Sequence, residues 1–303
     1  MKSSVYELIQ QLDEEQTPGH LDQVEMFYED TDEVFKSLTG VITKSEEAVS
    51  YGTVRQEQAP ELNEDETLGY VIVHPNQHAG LSCVLHCDPK KMKNSVKAVF
   101  PFIDEGCKYP CTIQSVKLFD NKVEAQIEAF IDDEQNLSMT FYDAHYLNNR
   151  AFYNGKDTFH FIIRGFAYCI EINQPGKVQI TDPEELQKLA GVVEGEVKEK
   201  VELDLENMIA VYPREDMGAD HYEIQSPVLE VNQYPEKVND QTVWQIRVML
   251  GRNPDGSEIP LDVYITERSL EGAPLPKVGD NISAVVWLQG HLWGIGDEEN
   301  SEE

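Results

Sequence analysis

Cys83, Cys87, Cys107 and Cys111 form two C-x3-C pairs, with His74, His78 and His86 close to the first. Thiolates beside imidazoles are the ligands zinc prefers, and a structural site needs four of them held tetrahedrally, most often by two tight turns. The first pair falls on an alternating pattern, with Leu81, Cys83, Leu85 and Cys87 on one face of a strand. Residues four apart on a strand are separated by about 13 Å, too far to share one ion. The second pair, Cys107-Lys108-Tyr109-Pro110-Cys111, reads as a turn. Zinc held by these four cysteines is the one cofactor expectation, and buried free thiols are the competing one. Five cysteines is an odd number for a disulfide framework, and free thiols are the default for a long chain of this kind.

Other constellations are weaker. Glu215, Asp216, Asp220, His221 and Glu223 could gather a divalent cation through oxygen, but they lack the spacing and central glycine of a calcium loop. In a chain with 56 acids such clusters arise from composition, and a solvated loop is the plain alternative. No G-x-S-x-G elbow, P-loop, dinucleotide fingerprint or H-E-x-x-H is present. His145, His160, His221 and His291 lie among or near strand patterns and read as structural polar residues. Phe130, Tyr142, Tyr264 and Trp287 sit among polar neighbours on the faces expected to point outward. Exposed aromatics anchor protein partners or stack nucleic-acid bases; the plain alternative is packing against another part of the same chain. Asp262, Glu258 and Glu267 around Tyr264 would repel phosphate.

These residues need elements to position them, and charge bounds what those elements can meet. The chain has 303 residues with 56 acids against 24 bases, a net charge of −32. Such a surface repels nucleic acid and anionic lipid, because polyphosphate binding rests on Lys and Arg. An apolar content of 40 % supports real cores despite the charge. No apolar run approaches a membrane span, and the start, MKSSVYELIQQLDEE, lacks the apolar stretch of a secretory signal. A cytoplasmic location is expected.

Four regions follow. Residues 1–67 read as an acidic helical segment and linker. Val5, Leu8, Ile9 and Leu12 have helical spacing there, and a second helical stretch contains Val34, Phe35 and Leu38. Residues 68–190 read as a β-rich domain containing a first barrel at about 111–172 and a short helix. Lys90, Lys91, Lys93 and Lys97 are its one basic spot. Residues 191–296 read as a second barrel domain, entered by a strand at Val201, Leu203 and Leu205. Residues 297–303 read as an acidic disordered tail.

The two barrels are expected to be copies of one pattern. In the first, strands at 112–116, 123–131 and 137–142 lead through an irregular connection to 159–163. Gly165 then breaks the run before a fifth strand at 166–172. In the second, strands at 228–231, 244–250 and 259–265 lead to 282–289, and Gly290 breaks the run before 291–295. Clean two-residue alternation means one face on a core and one toward water. Five such strands with a long connection after the third, and the run Lys277-Val278-Gly279-Asp280-Asn281-Ile282, resemble an OB-fold-like barrel. The fold class expected is mainly β, α+β, with a helical N-terminal segment and two small antiparallel barrels. The function expected is non-enzymatic: an acidic protein that engages a protein partner bearing a basic surface. Two alternatives stand beside it. One is an acidic inhibitor or immunity-type charge mimic. The other is a metal-dependent enzyme or a barrel that binds single-stranded nucleic acid.

Overall fold

The computed structural model describes residues 9–11, 21–29, 32–34, 36, 49–54, 68–75, 78–88, 93–121, 123–132, 137–153, 157–173, 176–181, 200–204, 208–214, 216–253 and 255–293. The protein is mostly β, and its centre is a ten-stranded sheet. With β1 (Ile9–Gln11) and β12 (Ala210–Pro213) at its edges, two runs of the same element order supply the other eight of its strands. The first is β6 (Cys107–Leu118), β7 (Ala125–Asp132), β8 (Leu137–Asp143), the short helix α2 (Tyr146–Asn149) and β9 (Thr158–Asn173). The second is β13 (His221–Val238), β14 (Gln241–Arg252), β15 (Glu258–Ile265), the short helix α3 (Glu267–Leu270) and β16 (Asn281–Leu292). In each run three antiparallel strands form a meander, and the fourth strand returns to pair with the first.

The runs close on each other. β9 and β16 pair antiparallel from Asn281↔Asn173 to Leu292↔Phe161. The third strand of each run then pairs in parallel with the last strand of the other, β8 with β16 at Tyr142↔Gln289 and β15 with β9 at Tyr264↔Phe166. Two hydrogen-bonded circuits result, β6-β7-β8-β16-β9 and β13-β14-β15-β9-β16, and both use the β9–β16 ribbon. Their interiors merge into one apolar core holding Ile113, Val116, Ile127, Phe141, Phe161, Ile163 and Ile170 of the first run with Ile224, Ile246, Val248, Leu261, Val263, Val286 and Leu288 of the second.

Several expectations are corrected here. Gly165 and Gly290 break nothing: β9 and β16 run straight through them, and each circuit takes its fifth strand from the opposite run. Gly290 is instead a close-approach position, since a Cβ there would lie 2.6 Å from the Phe141 ring. Cys107–Cys111 is the first part of strand β6 rather than a turn, paired with Phe159–Ile163. Ile9–Gln11, expected in a helix, forms the three-residue strand β1, added in parallel to β6 at Val116–Leu118. Val5, Leu8 and Leu12 lie outside the described residues. β11 (Val201–Asp204) does not lead into the central sheet but pairs with β10 (Lys177–Ile180) in a separate two-stranded sheet.

A third sheet holds β2 (Val49–Val54), β3 (Leu68–Pro75), β4 (Ala79–Asp88) and β5 (Lys93–Ile103). Together with α1 (Leu21–Val24) and residues 26–28 it packs on the outer face of the central sheet. This second core joins Val24, Phe27, Val71, Val73, Phe100 and Phe102 to Tyr142, Phe166, Tyr234, Tyr264 and Trp287. Residues 32–34 and 36 are also helical, while Phe35 and Leu38 lie outside the described residues. The N-terminal segment is tied down by main-chain acceptors: Asn239 Nδ2 and Gln241 Nε2 both donate to the Phe27 carbonyl, and Thr266 Oγ1 donates to that of Met26.

Candidate functional site

The cysteines do not converge. Cys83 belongs to the core under the four-stranded sheet, whereas Cys107 and Cys111 point into the interior of the central sheet. Burial pushes each of these three thiols up to about 12, so all are protonated near neutral pH. Cys87 has its backbone on β4, and its side chain lies outside the described residues. Among the described residues no group of three or more His, Cys, Asp or Glu is placed to hold a metal ion.

The outward aromatics are covered. Tyr142, Tyr264 and Trp287 are all buried, and only Phe130 of the four retains part of its surface. Trp287 lies 5.3 Å from Tyr142 and 5.9 Å from Phe166, and Tyr264 meets Tyr234 edge-on at 5.7 Å. Alternation correctly separates the two faces of these strands, but both faces are buried. Around Tyr142, Tyr264 and Trp287 the second face is covered by the four-stranded sheet and the N-terminal segment, so those three rings cannot anchor a partner.

Within that covered face lies a polar layer. Arg164 and Gln289 are register partners at the middle of the β9–β16 ribbon, and both are fully buried. Arg164 Nε and Nη2 donate to Gln289 Oε1, and its guanidinium stands 4.7 Å over the Phe102 ring. Its Nη1 lies 2.8 Å from His291 Nδ1, and Gln289 Nε2 donates to the Pro101 carbonyl at 2.9 Å. His145 lies beside His291, ring centroids 5.2 Å apart and planes tilted by 51°. Burial, reinforced by the Arg164 charge, lowers His145 to about 3 and holds His291 well below its ordinary value, so both imidazoles are neutral. Close by in sequence, burial raises Asp143 to about 7, although it accepts from Tyr153 Oη at 2.5 Å and the His145 amide at 3.0 Å.

The other polar constellation grows from the acidic cluster read as a solvated loop, and here the correction is large. Glu215 lies outside the described residues, and Asp216 is exposed in a bidentate pair with Arg214. Asp220 and His221 are instead buried, at 0 % and 2 % exposure. The segment entering β13 folds back on itself: the His221 amide donates to Gly218 O, and the Arg214 amide to His221 O. Gly218, at φ +140°, permits this turn, since a Cβ there would lie 3.1 Å from His221 Nδ1. Asp220 Oδ2 accepts from Trp287 Nε1 at 2.9 Å, and Asp220 Oδ1 meets His221 Nδ1 at 2.9 Å. His221 Nε2 lies 2.8 Å from Tyr168 Oη and 3.5 Å from Gln23 Nε2, with the Tyr168 ring stacked on the imidazole at 16°. A carboxylate only accepts, so the proton of the Asp220–His221 bond sits on Nδ1. Nε2 is then the acceptor for the Tyr168 phenol. Chemically the set Asp220–His221–Tyr168 is a proton relay ending on the phenol of a half-buried tyrosine.

Sequence reasoning placed Asp220 and His221 in a candidate cluster for the wrong chemistry and missed Tyr168 and Gln23. No spacing rule links positions 23, 168 and 221; the β13–β16–β9 register brings 168 to 221, and α1 packed on that face brings Gln23. The chain matches no protein-family model, no curated protein and no solved structure.

Proposed function

We propose that the protein is an acidic binding protein that engages a protein partner through its surface charge, the partner carrying a basic face. The observation that carries this reading is the net charge of −32 on 303 residues. Described basic groups add to it by being occupied internally. Arg247 pairs with the buried Asp262 at 2.8 Å and reaches Glu230, Arg214 pairs with Asp216 and reaches Glu223, and Lys117 pairs with Glu128. Arg164 is enclosed. Among the described residues Lys36, Lys108, Lys200, Arg252, Arg268 and Lys277 stay exposed, and Glu230, Asp240, Glu258, Glu267 and Glu271 stand exposed among them, so what basic surface remains is interspersed with acids. A field of this kind raises encounter rates with cationic partners.

The two strand circuits serve in this reading as rigid scaffolding. What supports an OB-like description is their order: a three-stranded meander, a short helix, a fourth strand returned to the first, and a fifth strand parallel to the third. The fifth strand comes from the opposite run, so we infer a pair of interlocked small barrels rather than two that stand alone.

The test is capture from native cell extract at low salt, identification of the captured chain, and stopped-flow measurement of association with that purified partner. The rate is expected to fall by about tenfold or more between roughly 50 and 500 mM salt. A rate unaltered by salt would overturn the proposal.

A further inference from the structure

The Asp220–His221–Tyr168 relay has features that a packing contact does not need. Asp220 uses both carboxylate oxygens, one on Trp287 Nε1 and one on His221 Nδ1, and Asp220, His221 and Trp287 are almost wholly buried. The tautomer of His221 is thereby fixed, and its Nε2 lone pair points at a phenol 2.8 Å away. Tyr168 itself sits at an irregularity in the ladder. Val286 pairs with Ala167 and Val285 with Cys169, so Tyr168 is the extra residue of a bulge on β9. Bulges re-aim side chains and are enriched beside active sites. The bulge here accompanies the placement of Tyr168 against the imidazole, and Tyr168 is the one member of the relay that is only half-buried.

We propose that Tyr168 is a nucleophilic phenol activated by Asp220 and His221, and that it takes an acyl group from a neutral activated ester. In the step, Tyr168 Oη attacks the ester carbonyl and a new O–C bond forms. The phenol proton passes to His221 Nε2. The bond from the carbonyl carbon to the ester oxygen breaks, and the leaving alkoxide or phenolate departs with the electron pair. Asp220 is a positioning residue that stabilises the imidazolium formed. The ester is neutral because the protein's charge of −32 disfavours anionic phosphoryl donors near its surface.

The probe is p-nitrophenyl acetate, applied to the full chain folded and again in denaturant, with acetylation mapped at each of the 13 tyrosines. Folding shields ordinary tyrosines, so their folded-to-unfolded rate ratio lies below one. At Tyr168 the ratio is expected to exceed about ten. Asp220→Asn retains a bond to Trp287 but donates to Nδ1, which moves the imidazole proton to Nε2 and removes the acceptor. Labelling of Tyr168 should then fall by about 100-fold with near-ultraviolet dichroism unchanged. His221→Gln should behave alike, and Tyr168→Phe should lose the label. A Tyr168 ratio at or below one, or wild-type labelling in a folded Asp220→Asn, overturns the proposal. If Asp220→Asn does not fold, the wild-type ratio still decides.

Discussion

Glycines 165 and 290 occupy matching places in the two runs, yet their surroundings differ, and this makes a sharp test of the packing. A methyl at 290 would meet the Phe141 ring at 2.6 and 2.7 Å, whereas one at 165 finds Val263, Val286 and Leu261 at 3.4 to 3.7 Å. Gly290→Ala is therefore expected to destabilise by about 2 kcal/mol in urea unfolding, and Gly165→Ala to change stability by less than about 0.5 kcal/mol. The buried titratable groups give a second test, with opposing signs. Asp143 is raised from 3.8 to about 7, so it binds a proton on folding, and its contribution to stability is lost as pH rises from about 4 to 7. His145 and His291 are lowered from 6.5, so theirs is lost as pH falls below 6.5. Asp143→Asn should thus gain about 3 kcal/mol on wild type between pH 4 and 7. His145→Asn should lose stability less steeply than wild type on acidification, and urea midpoints across that range read both slopes. The sequence marks His145 and His291 as structural polar residues but not the layer they share with Arg164 and Gln289. A histidine at 145 or 291 and an arginine at 164 carry no sign of burial, because the covering face of β5 (Lys93–Ile103) is about forty residues or more away along the chain.

At the scale of elements, the turn between β13 and β14 has two residues, Asn239 and Asp240, both left-handed at φ 50° and 61°. Such turns match the right-handed twist of a hairpin and favour glycine at the second position. Asp240→Gly is expected to stabilise by about 0.5 kcal/mol, and Asp240→Val to destabilise by more than about 1 kcal/mol, in thermal unfolding. Thr266 both caps α3, accepting from the Arg268 amide at 3.2 Å, and holds the Met26 carbonyl at 3.0 Å. Thr266→Val should cost about 1 to 2 kcal/mol and speed exchange of the amides of residues 23–28. The strands themselves were legible. Val123 to Ile131, Leu137 to Phe141, Trp244 to Leu250 and Ile259 to Ile265 alternate cleanly, and each lies in or across the strand expected. What alternation cannot encode is the partner. Gly165 and Gly290 looked like strand ends because a glycine weakens a strand in isolation. In the assembled sheet hydrogen bonds on both sides of β9 and β16 carry the chain through. Ile9–Gln11 misled for a related reason: a three-residue edge strand has no period, and its helical spacing came from residues outside the described ones.

For the whole molecule, self-repulsion is the dominant long-range force. Raising salt from about 10 to 200 mM should raise the melting temperature, on the order of 3 °C, because screening relieves repulsion in the compact state more than in the expanded one. A melting temperature that falls with salt would mean that internal ion pairs such as Arg247–Asp262 outweigh the net charge. The mainly β class was legible because two-residue alternation recurs along the chain. Interlocking was not, since parallel contacts as brief as Tyr142↔Gln289 and Asp143↔Gly290 leave no mark on local composition.

The crossing of β9 and β16 has a consequence for any shorter version of the chain. A polypeptide spanning only 107–173 would keep its meander and helix but lack the strand that seals it, leaving an open seam on each copy. Two such halves can seal one another by donating their last strands reciprocally, with residue 164 of each facing its twin where Arg164 now faces Gln289. Half-length chains are thus expected to be obligate symmetric pairs, held by the same kind of crossing that joins the two runs in the full chain.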